Sequence, residues 1–166
     1  MKDRFIKIVV CLVLVGSYFF FPKYGFTAFG DSLINHLLYP LSHANIWHLA
    51  ANILCLWMIP CRLYIFVTYS IAVLCSFLPS FCLFDSIAQG GIAELSEPTY
   101  GFSGVLFAII GISWGRVHRF RDMLWKNKWY LIIPAFLPHV NFLIHIYCLL
   151  AGYLYGSLCV RKSTNS

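Results

Sequence analysis

Apolar residues run along this chain in six long stretches, and the segments between them hold most of its charged residues. The stretches cover residues 6–22, 46–60, 63–80, 101–115, 129–139 and 142–160. No internal repeat and no low-complexity tract interrupts the pattern. The sequence therefore predicts an all-α membrane protein, a single domain over residues 1–166 built as a bundle of six transmembrane helices.

Some of these stretches are short for helices that cross a bilayer. About 20 residues are needed to span ~30 Å of hydrocarbon, so 101–115 and 129–139 fit only where the bilayer is thinned or where protein shields their ends. The basic and apolar start of the chain resembles a signal peptide, but no small-residue cleavage site follows it, and we expect a retained first helix. Residues 23–45 are predicted to form a loop with apolar positions that enter the membrane interface.

Composition agrees with a membrane protein. Of the 166 residues, 60% are hydrophobic and 11% are charged, and the mean hydropathy is +0.77, far from the values of a soluble domain of this size. The formal net charge is +6, but no basic patch on a soluble face accompanies it, so nucleic acid is not an expected partner. The expected surroundings are a lipid bilayer.

The charged segments favour one orientation of the six helices. With both termini in the cytoplasm, only Lys23 of the 12 Lys and Arg residues lies outside. The cytoplasmic set is Lys2, Arg4, Lys7, Arg62, Arg116, Arg119, Arg121, Lys126, Lys128, Arg161 and Lys162. Because positive residues concentrate in cytoplasmic loops, we predict an integral protein of the bacterial inner (plasma) membrane with both termini cytoplasmic.

The seven cysteines lie mostly inside apolar stretches and form no CxxC pair. Cysteine in such surroundings behaves as a small apolar residue, so the sequence predicts neither a disulfide framework nor a metal site. His36, His43 and His139 are expected near a membrane interface and are interpreted as structural.

Three segments carry polar or ionisable side chains in or beside the apolar stretches. "HANIWHLAANI" contains His48 and Asn52, "GFSG" contains Ser103, and "NFLIH" contains Asn141 and His145. Such groups are costly inside a membrane and by default mark functional sites. The segments are therefore candidates for one shared site.

Three of these residues are predicted to lie at similar depths. Counting 1.5 Å per residue from the basic residue at each cytoplasmic end puts Ser103 at ~20 Å, His48 at ~21 Å and His145 at ~24 Å. A serine hydroxyl becomes a nucleophile when a histidine within ~2.6–3.2 Å takes its proton. Ser103 and His145 are thus candidates for a nucleophile and its base.

Small residues recur on two of the predicted helices and would let them pack closely. They are Gly104, Ala108, Gly111 and Gly115 on the fourth helix, and Cys148, Gly152 and Gly156 on the sixth. Faces of this kind allow close helix packing in lipid. His145 projects from the same face as Cys148 and Gly152, so packing of the two faces would bring Ser103 and His145 into contact.

His48 and Asn52 lie one turn apart on one face of the second helix. Both side chains can donate hydrogen bonds, and preorganised donors stabilise the oxyanion that forms during acyl transfer. Gly101 and Gly104 leave space for a substrate beside Ser103. The Ser103 N–H lies near a helix N-terminus and lacks an intrahelical acceptor, so it is a third candidate donor.

Together these motifs resemble those of rhomboid intramembrane serine proteases. "GFSG" is similar to the family's GxSG, "HLAAN" to its HxxxN, and His145 with small residues at positions 148 and 152 to its HxxGxxxG helix. The similarity covers residues 45–160, and "LSHANIWH" also resembles the segment before the second helix. One departure is Cys148, which stands where the family usually has glycine.

The resemblance implies a small, six-helix protein of the prokaryotic type with a Ser103–His145 catalytic dyad. It also implies His48, Asn52 and the Ser103 amide as oxyanion donors, with no acidic third member, metal or cofactor. The implied reaction is hydrolysis of a peptide bond in or near the transmembrane segment of a partner protein.

Two other functions remain open from the residues alone. One is a catalytically silent rhomboid-like module that binds membrane proteins without cleaving them. The other is a membrane haem or ion-conducting protein that uses His48 and His145 as ligands or proton relays. That reading leaves Ser103 and Asn52 without a role.

Overall fold

The structure of the protein is a computed structural model, and it describes most of the chain. The described residues are 2–27, 30–59, 64–81, 83–91, 95, 98–117, 121–122, 124–126, 128–129 and 140–164. Over these residues the regular structure is helical, apart from one isolated antiparallel β-bridge between Phe26 and Thr99. The predicted all-α fold is confirmed for this part of the chain.

Seven α-helices and one 3₁₀ turn have defined bounds. They are α1 (Lys2–Phe20), α2 (Leu33–Leu38), the 3₁₀ turn (Tyr39–Leu41), α3 (Ile46–Met58), α4 (Ile65–Cys75), α5 (Leu83–Gln89), α6 (Ser103–Arg116) and α7 (Phe142–Thr164). Five of the six predicted stretches overlap one of these helices. The predicted fifth helix at 129–139 lies outside the described residues except for its first position.

Two of the short helices fall where the sequence predicted no helix. The predicted loop at 23–45 contains α2 and the 3₁₀ turn, and α5 follows the predicted third helix. The α2 residues Leu33 and Ile34 are exposed, whereas His36 between them and the 3₁₀ turn is fully buried. The loop is therefore folded onto the body of the protein through one side of α2.

The centre of the fold is α6. Nine of its 14 residues are buried, and Val105 and Ala108 have no exposed surface. By contrast, α1 exposes large apolar side chains such as Phe5, Leu12 and Phe20. Large exposed apolar surfaces are rare in soluble monomers and mark contact with a membrane or a partner.

α6 and α7 pack against each other through their small residues. A Cβ added at Gly111 would meet the backbone oxygen of Leu149, one at Gly152 would meet that of Ala108, and one at Gly156 would meet that of Ile112. The backbones of the two helices are thus in direct contact along several turns. This is the packing that the small-residue faces predicted.

One described helix is both long and apolar enough to cross a membrane. It is α7, whose segment Phe142–Cys159 has a mean hydropathy of 1.6 and is 33% buried. The helices α3, α4 and α6 are apolar but shorter. Length and composition thus identify one spanning candidate in the described part of the chain, and the predicted count of six spans stays a prediction.

Basic side chains form hydrogen bonds between helices at the end of the bundle opposite Ser103. Lys7 is buried and its Nζ donates to the carbonyl oxygens of Trp57 and Ile59, at 3.2 and 2.7 Å, where α3 ends. Arg116 donates to the Tyr64 hydroxyl at 2.5 Å, where α4 begins. Cations at helix C-termini are favourable because the last carbonyl groups lack intrahelical donors.

Candidate active site

The site is built around the first turn of α6. Ser103 is the first residue of this helix, so its N–H lacks an intrahelical acceptor. The segment before it is fixed at two points. Thr99 pairs with Phe26 through two backbone hydrogen bonds of 2.7 and 3.4 Å, and the Gly101 N–H donates to the Tyr39 carbonyl oxygen at 3.0 Å.

The structure brings Ser103 and His145 together. The Ser103 Oγ lies 2.9 Å from the His145 Nε2, although the two residues lie on different helices, 42 positions apart. Ser103 is half-buried and His145 is 7% exposed. With the imidazole proton on Nδ1, the Ser103 hydroxyl donates to Nε2, which is the arrangement a general base needs.

An aromatic ring holds the imidazole of His145 in place. Phe107 stacks on it with ring centres 4.5 Å apart and planes 18° from parallel. Within the described residues, the buried His145 Nδ1 has no hydrogen-bond partner. Ring stacking rather than a polar contact at Nδ1 therefore sets the ring's orientation there. Phe107 lies one turn after Ser103, and this spacing was the available sequence signal for a role we did not predict.

His48 and Asn52, which both belong to α3, lie next to Gly101. A Cβ added at Gly101 would lie 2.6 Å from both Cε1 and Nε2 of the His48 ring and 3.4 Å from the Asn52 Nδ2. The backbone of Gly101 also has φ +110°, which L side chains rarely adopt. Only glycine therefore lets the chain entering α6 pass against the His48 ring.

The polar groups of α3 are partly used within the helix itself. Asn45 caps α3, and its Oδ1 accepts from the His48 N–H at 2.9 Å. The Asn52 Nδ2 donates to the His48 carbonyl oxygen at 3.0 Å, which uses one of its two N–H donors. Because the Gly101 N–H is bonded to Tyr39, the contribution of Gly101 to the site is space rather than a hydrogen bond.

His43 lies behind His48 in a fully buried position. Their rings meet edge to face with centres 5.3 Å apart, and His43 has no exposed surface. Burial, followed by the nearby His48, lowers the pKa of His43 to about 4. His43 is therefore neutral at ordinary pH and supports the His48 ring by packing, in agreement with the structural role expected for it.

The missing side chain at Gly104 explains how α7 accommodates a cysteine at position 148. A Cβ at Gly104 would lie 2.9 Å from the Tyr39 hydroxyl and 3.4 Å from the Cys148 Sγ. Cys148 has no exposed surface and fills the space that Gly104 leaves open. The bulk of the thiol on α7 is thus matched by the missing side chain on α6, one position after Ser103.

Comparison with known proteins identifies the family of the chain. The family model of the rhomboid domain matches residues 30–162. The chain belongs to the rhomboid family. A protein of Acanthamoeba polyphaga mimivirus named "Putative rhomboid protein L523" is 26% identical over an alignment of 166 positions, which covers 92% of this chain and 89% of that protein.

The rhomboid match contains every candidate site residue, the helices α2 to α6 and all but the last two residues of α7. Rhomboids are integral membrane proteins, and the apolar side chains that α1 exposes suit contact with lipid. The structure brings Ser103, His145, Gly101, His48 and Asn52 into one region of this rhomboid. Their catalytic roles are taken up below.

Proposed function

We propose that this rhomboid is an intramembrane serine protease that hydrolyses a peptide bond in or near the transmembrane segment of a partner protein. The observation that carries the proposal is the 2.9 Å hydrogen bond between the Ser103 Oγ and the His145 Nε2. It forms at the N-terminus of a buried helix, two residues after a glycine that packs against the His48 ring.

The proposed reaction has two steps, and both use His145. In the first step, the Ser103 Oγ attacks the substrate carbonyl carbon while His145 Nε2 takes the hydroxyl proton; the peptide C–N bond then breaks, and His145 passes the proton to the leaving amine. In the second step, His145 takes a proton from water, which attacks the acyl-enzyme, and returns it to the Ser103 Oγ. No metal or cofactor takes part in either step.

Three groups are proposed to stabilise the oxyanion of each tetrahedral intermediate. They are the Ser103 N–H at the start of α6 and the His48 ring and Asn52 amide, which adjoin Gly101. A single donor of this kind contributes ~2.7–4 kcal/mol to transition-state stabilisation. The N-terminus of α6 adds a favourable electrostatic field for the same negative charge.

The proposed arrangement in the membrane is the one expected from the sequence. Residues 1–166 form one domain of six transmembrane helices with both termini in the cytoplasm of a bacterial cell, and the fifth helix lies at 129–139. Substrates would enter sideways beside that fifth helix. Reporter tags at residues 1 and 166 should both be cytoplasmic, and tags on opposite sides of the membrane would refute the even number of spans.

Labelling of membranes with a fluorophosphonate probe tests the proposed function, because the probe reacts with activated serines. The native protein should be labelled and the Ser103→Ala variant should not. Cleavage of a transmembrane substrate should follow the same pattern. A native, folded protein that neither reacts with the probe nor cleaves would refute the protease and leave a rhomboid-like module that binds membrane proteins without cutting them.

A haem or ion-conducting role finds no support in the geometry. The His145 Nε2 lies against Ser103 and its Nδ1 is buried, so neither nitrogen is open to an axial ligand position. We therefore expect a colourless preparation. A stoichiometric haem absorption band that disappears on substitution of His48 or His145 would contradict the protease proposal.

A further inference from the structure

One buried side chain outside the proposed reaction joins the segments that lead into α6 and α7. Asn141 is 5% exposed. Its Nδ2 donates to the Thr99 Oγ1 at 3.0 Å, and its Oδ1 accepts from the Ile144 N–H at 3.3 Å. Asn141 therefore caps the start of α7 and at the same time holds it to the chain before α6.

The position of this contact along the chain matches that of the serine and histidine. Thr99 precedes Ser103 by four residues, and Asn141 precedes His145 by four residues. Both contacts therefore join positions 42 residues apart. Any sliding of α7 along α6 that lengthens the Asn141–Thr99 bond would also separate the His145 ring from the Ser103 hydroxyl.

The packing of α6 against α7 gives this contact a role near the site, while at the far end of the pair the Ser157 hydroxyl donates to the Gly115 carbonyl oxygen at 3.3 Å. Gly111 on α6 and Gly152 and Gly156 on α7 each have backbone atoms of the other helix opposite them. Small residues allow close approach, but they offer few side chains that interlock as ridges and grooves. Close packing thus fixes the distance between the two helices more firmly than it fixes their position along each other.

Thr99 is a suitable reference point because its own backbone is fixed. Its N–H and carbonyl oxygen both bond to Phe26, and two residues later Gly101 bonds to the buried Tyr39. Hydrogen bonds to the segment before α3 therefore hold Thr99 in place. The His48 ring packs nearby, against Gly101. Asn141 extends this fixed point to α7, which carries His145.

We propose that Asn141 and Thr99 form a register clamp that sets the position of His145 relative to Ser103. Asn141 is thus a positioning residue, and the inference rests on the proposed function of the Ser103–His145 pair. Displacement of a reacting group by about 1 Å can cost 10²-fold in rate. The clamp accounts for the otherwise unused polar residue in "NFLIH".

Matched variants separate the clamp from the helix cap. Thr99→Val removes the acceptor and keeps the shape and the cap, whereas Thr99→Ser keeps the acceptor. Asn141→Ser keeps an oxygen for the Ile144 N–H but is too short to reach Thr99.

Thr99→Val and Asn141→Ser should each slow fluorophosphonate labelling roughly 10-fold, and Thr99→Ser should label at close to the native rate. The double variant should be no slower than the slower single variant, since both remove the same bond.

A spectroscopic readout tests the position of the ring without catalysis. In the ¹⁵N spectrum of histidine-labelled protein in micelles, the His145 signals are assigned by their loss in His145→Ala. Thr99→Val should move the Nε2 signal of His145 towards that of a ring without a hydrogen bond, and Thr99→Ser should leave it in place. If Thr99→Val does not fold, Asn141→Ser provides the same comparison from the other side of the bond.

The outcomes distinguish the clamp from the protease proposal. Native labelling in a folded Thr99→Val variant, with unmoved His145 signals, would overturn the clamp and leave the protease intact. If the native protein is not labelled at all, the proposed function fails. The His145 signals then still decide whether Thr99 and Asn141 set the position of the ring.

Discussion

The described part of this rhomboid contains two serine–histidine hydrogen bonds of equal length. The Ser103 Oγ lies 2.9 Å from the His145 Nε2, and the Ser76 Oγ lies 2.9 Å from the His36 Nδ1. Each joins residues that are distant along the chain. Distance alone therefore does not distinguish a candidate catalytic pair from a structural one.

The direction of the hydrogen bonds is the first difference. The Ser76 hydroxyl donates to the Val73 carbonyl oxygen at 2.6 Å, so its proton is committed and the oxygen accepts from His36. Ser76 also follows the last turn of α4, whereas Ser103 opens α6. A developing negative charge is disfavoured at a helix C-terminus and favoured at an N-terminus.

The surroundings are the second difference. His36 is fully buried and lies between the rings of Phe26 and Phe77, at centre distances of 5.1 and 4.1 Å. Ser76 is 1% exposed, so no substrate reaches it. Ser103 is half-buried and adjoins Gly101. Access, helix polarity and the acceptor of the hydroxyl proton therefore decide what a serine–histidine contact can do.

Substitution of Ser103 and of Ser76 by alanine should give the largest difference in activity between the two pairs. Ser103→Ala should reduce probe labelling and substrate cleavage to background, because no nucleophile remains. His145→Ala should come close to this, since the serine then stays protonated. Ser76→Ala is the matched control and should keep the native labelling rate per folded molecule. Full proteolysis by a well-folded Ser103→Ala variant would refute the mechanism, and loss of labelling in folded Ser76→Ala would remove the contrast.

Substitution of the proposed oxyanion donors should give a smaller effect. His48→Ala and Asn52→Ala leave the Ser103–His145 pair intact, so each should slow cleavage by roughly 10²–10³-fold while probe labelling persists. Thermal stability in detergent checks that each variant folds. Total loss of both labelling and cleavage in either folded variant would show that α3 does more than support the oxyanion.

At the second pair, the expected effect is on stability rather than on rate. Ser76→Ala removes the partner of a buried imidazole nitrogen, which typically costs ~1–3 kcal/mol in free energy of unfolding. Denaturation of the purified protein in detergent measures the change, with Ser70→Ala as control because Ser70 is exposed and bonds within its own helix. Equal stability of the two variants would mean that the His36–Ser76 contact contributes little.

The smallest expected effect is a change in the pH dependence of stability at His43, which belongs to neither serine–histidine pair. Burial lowers the pKa of His43 to about 4, below the value near 6.5 in the unfolded chain. Protonation therefore favours the unfolded state, and stability falls as pH drops through 6.5 towards 4. Between pH 7.5 and pH 6 the loss is about 0.8 kcal/mol. The His43→Gln variant should lack this part of the pH dependence, and identical slopes for the two proteins would contradict it.

The sequence predicted the parts of the fold that follow from apolar runs and small-residue spacing. Five predicted stretches contain helices, with ends that differ by a few residues; α1, for example, begins at Lys2 because charged residues continue a helix as readily as apolar ones. The recurrence of Gly152 and Gly156 on α7 predicted close packing onto α6. Helix rise alone predicted similar depths for Ser103 and His145, and the structure brings the two side chains within 2.9 Å of each other.

The contacts that depend on loops were not predictable in the same way. α2 has six residues and α5 has seven, too short to give a clear periodic pattern. The pairing of His36 with Ser76 and that of Asn141 with Thr99 join segments 40 and 42 residues apart. Nothing in local composition encodes such pairings, because they arise only when the helices have packed.

The 42 residues between Ser103 and His145 also set an order of events during synthesis. At about 5–20 residues per second, a ribosome needs roughly 2–8 s to pass from one to the other. During that interval the growing chain carries the serine without its base, so the hydroxyl remains inert while neighbouring nascent helices enter the membrane. Under the proposed mechanism, the pair becomes reactive only after α7 has been made and has packed against α6.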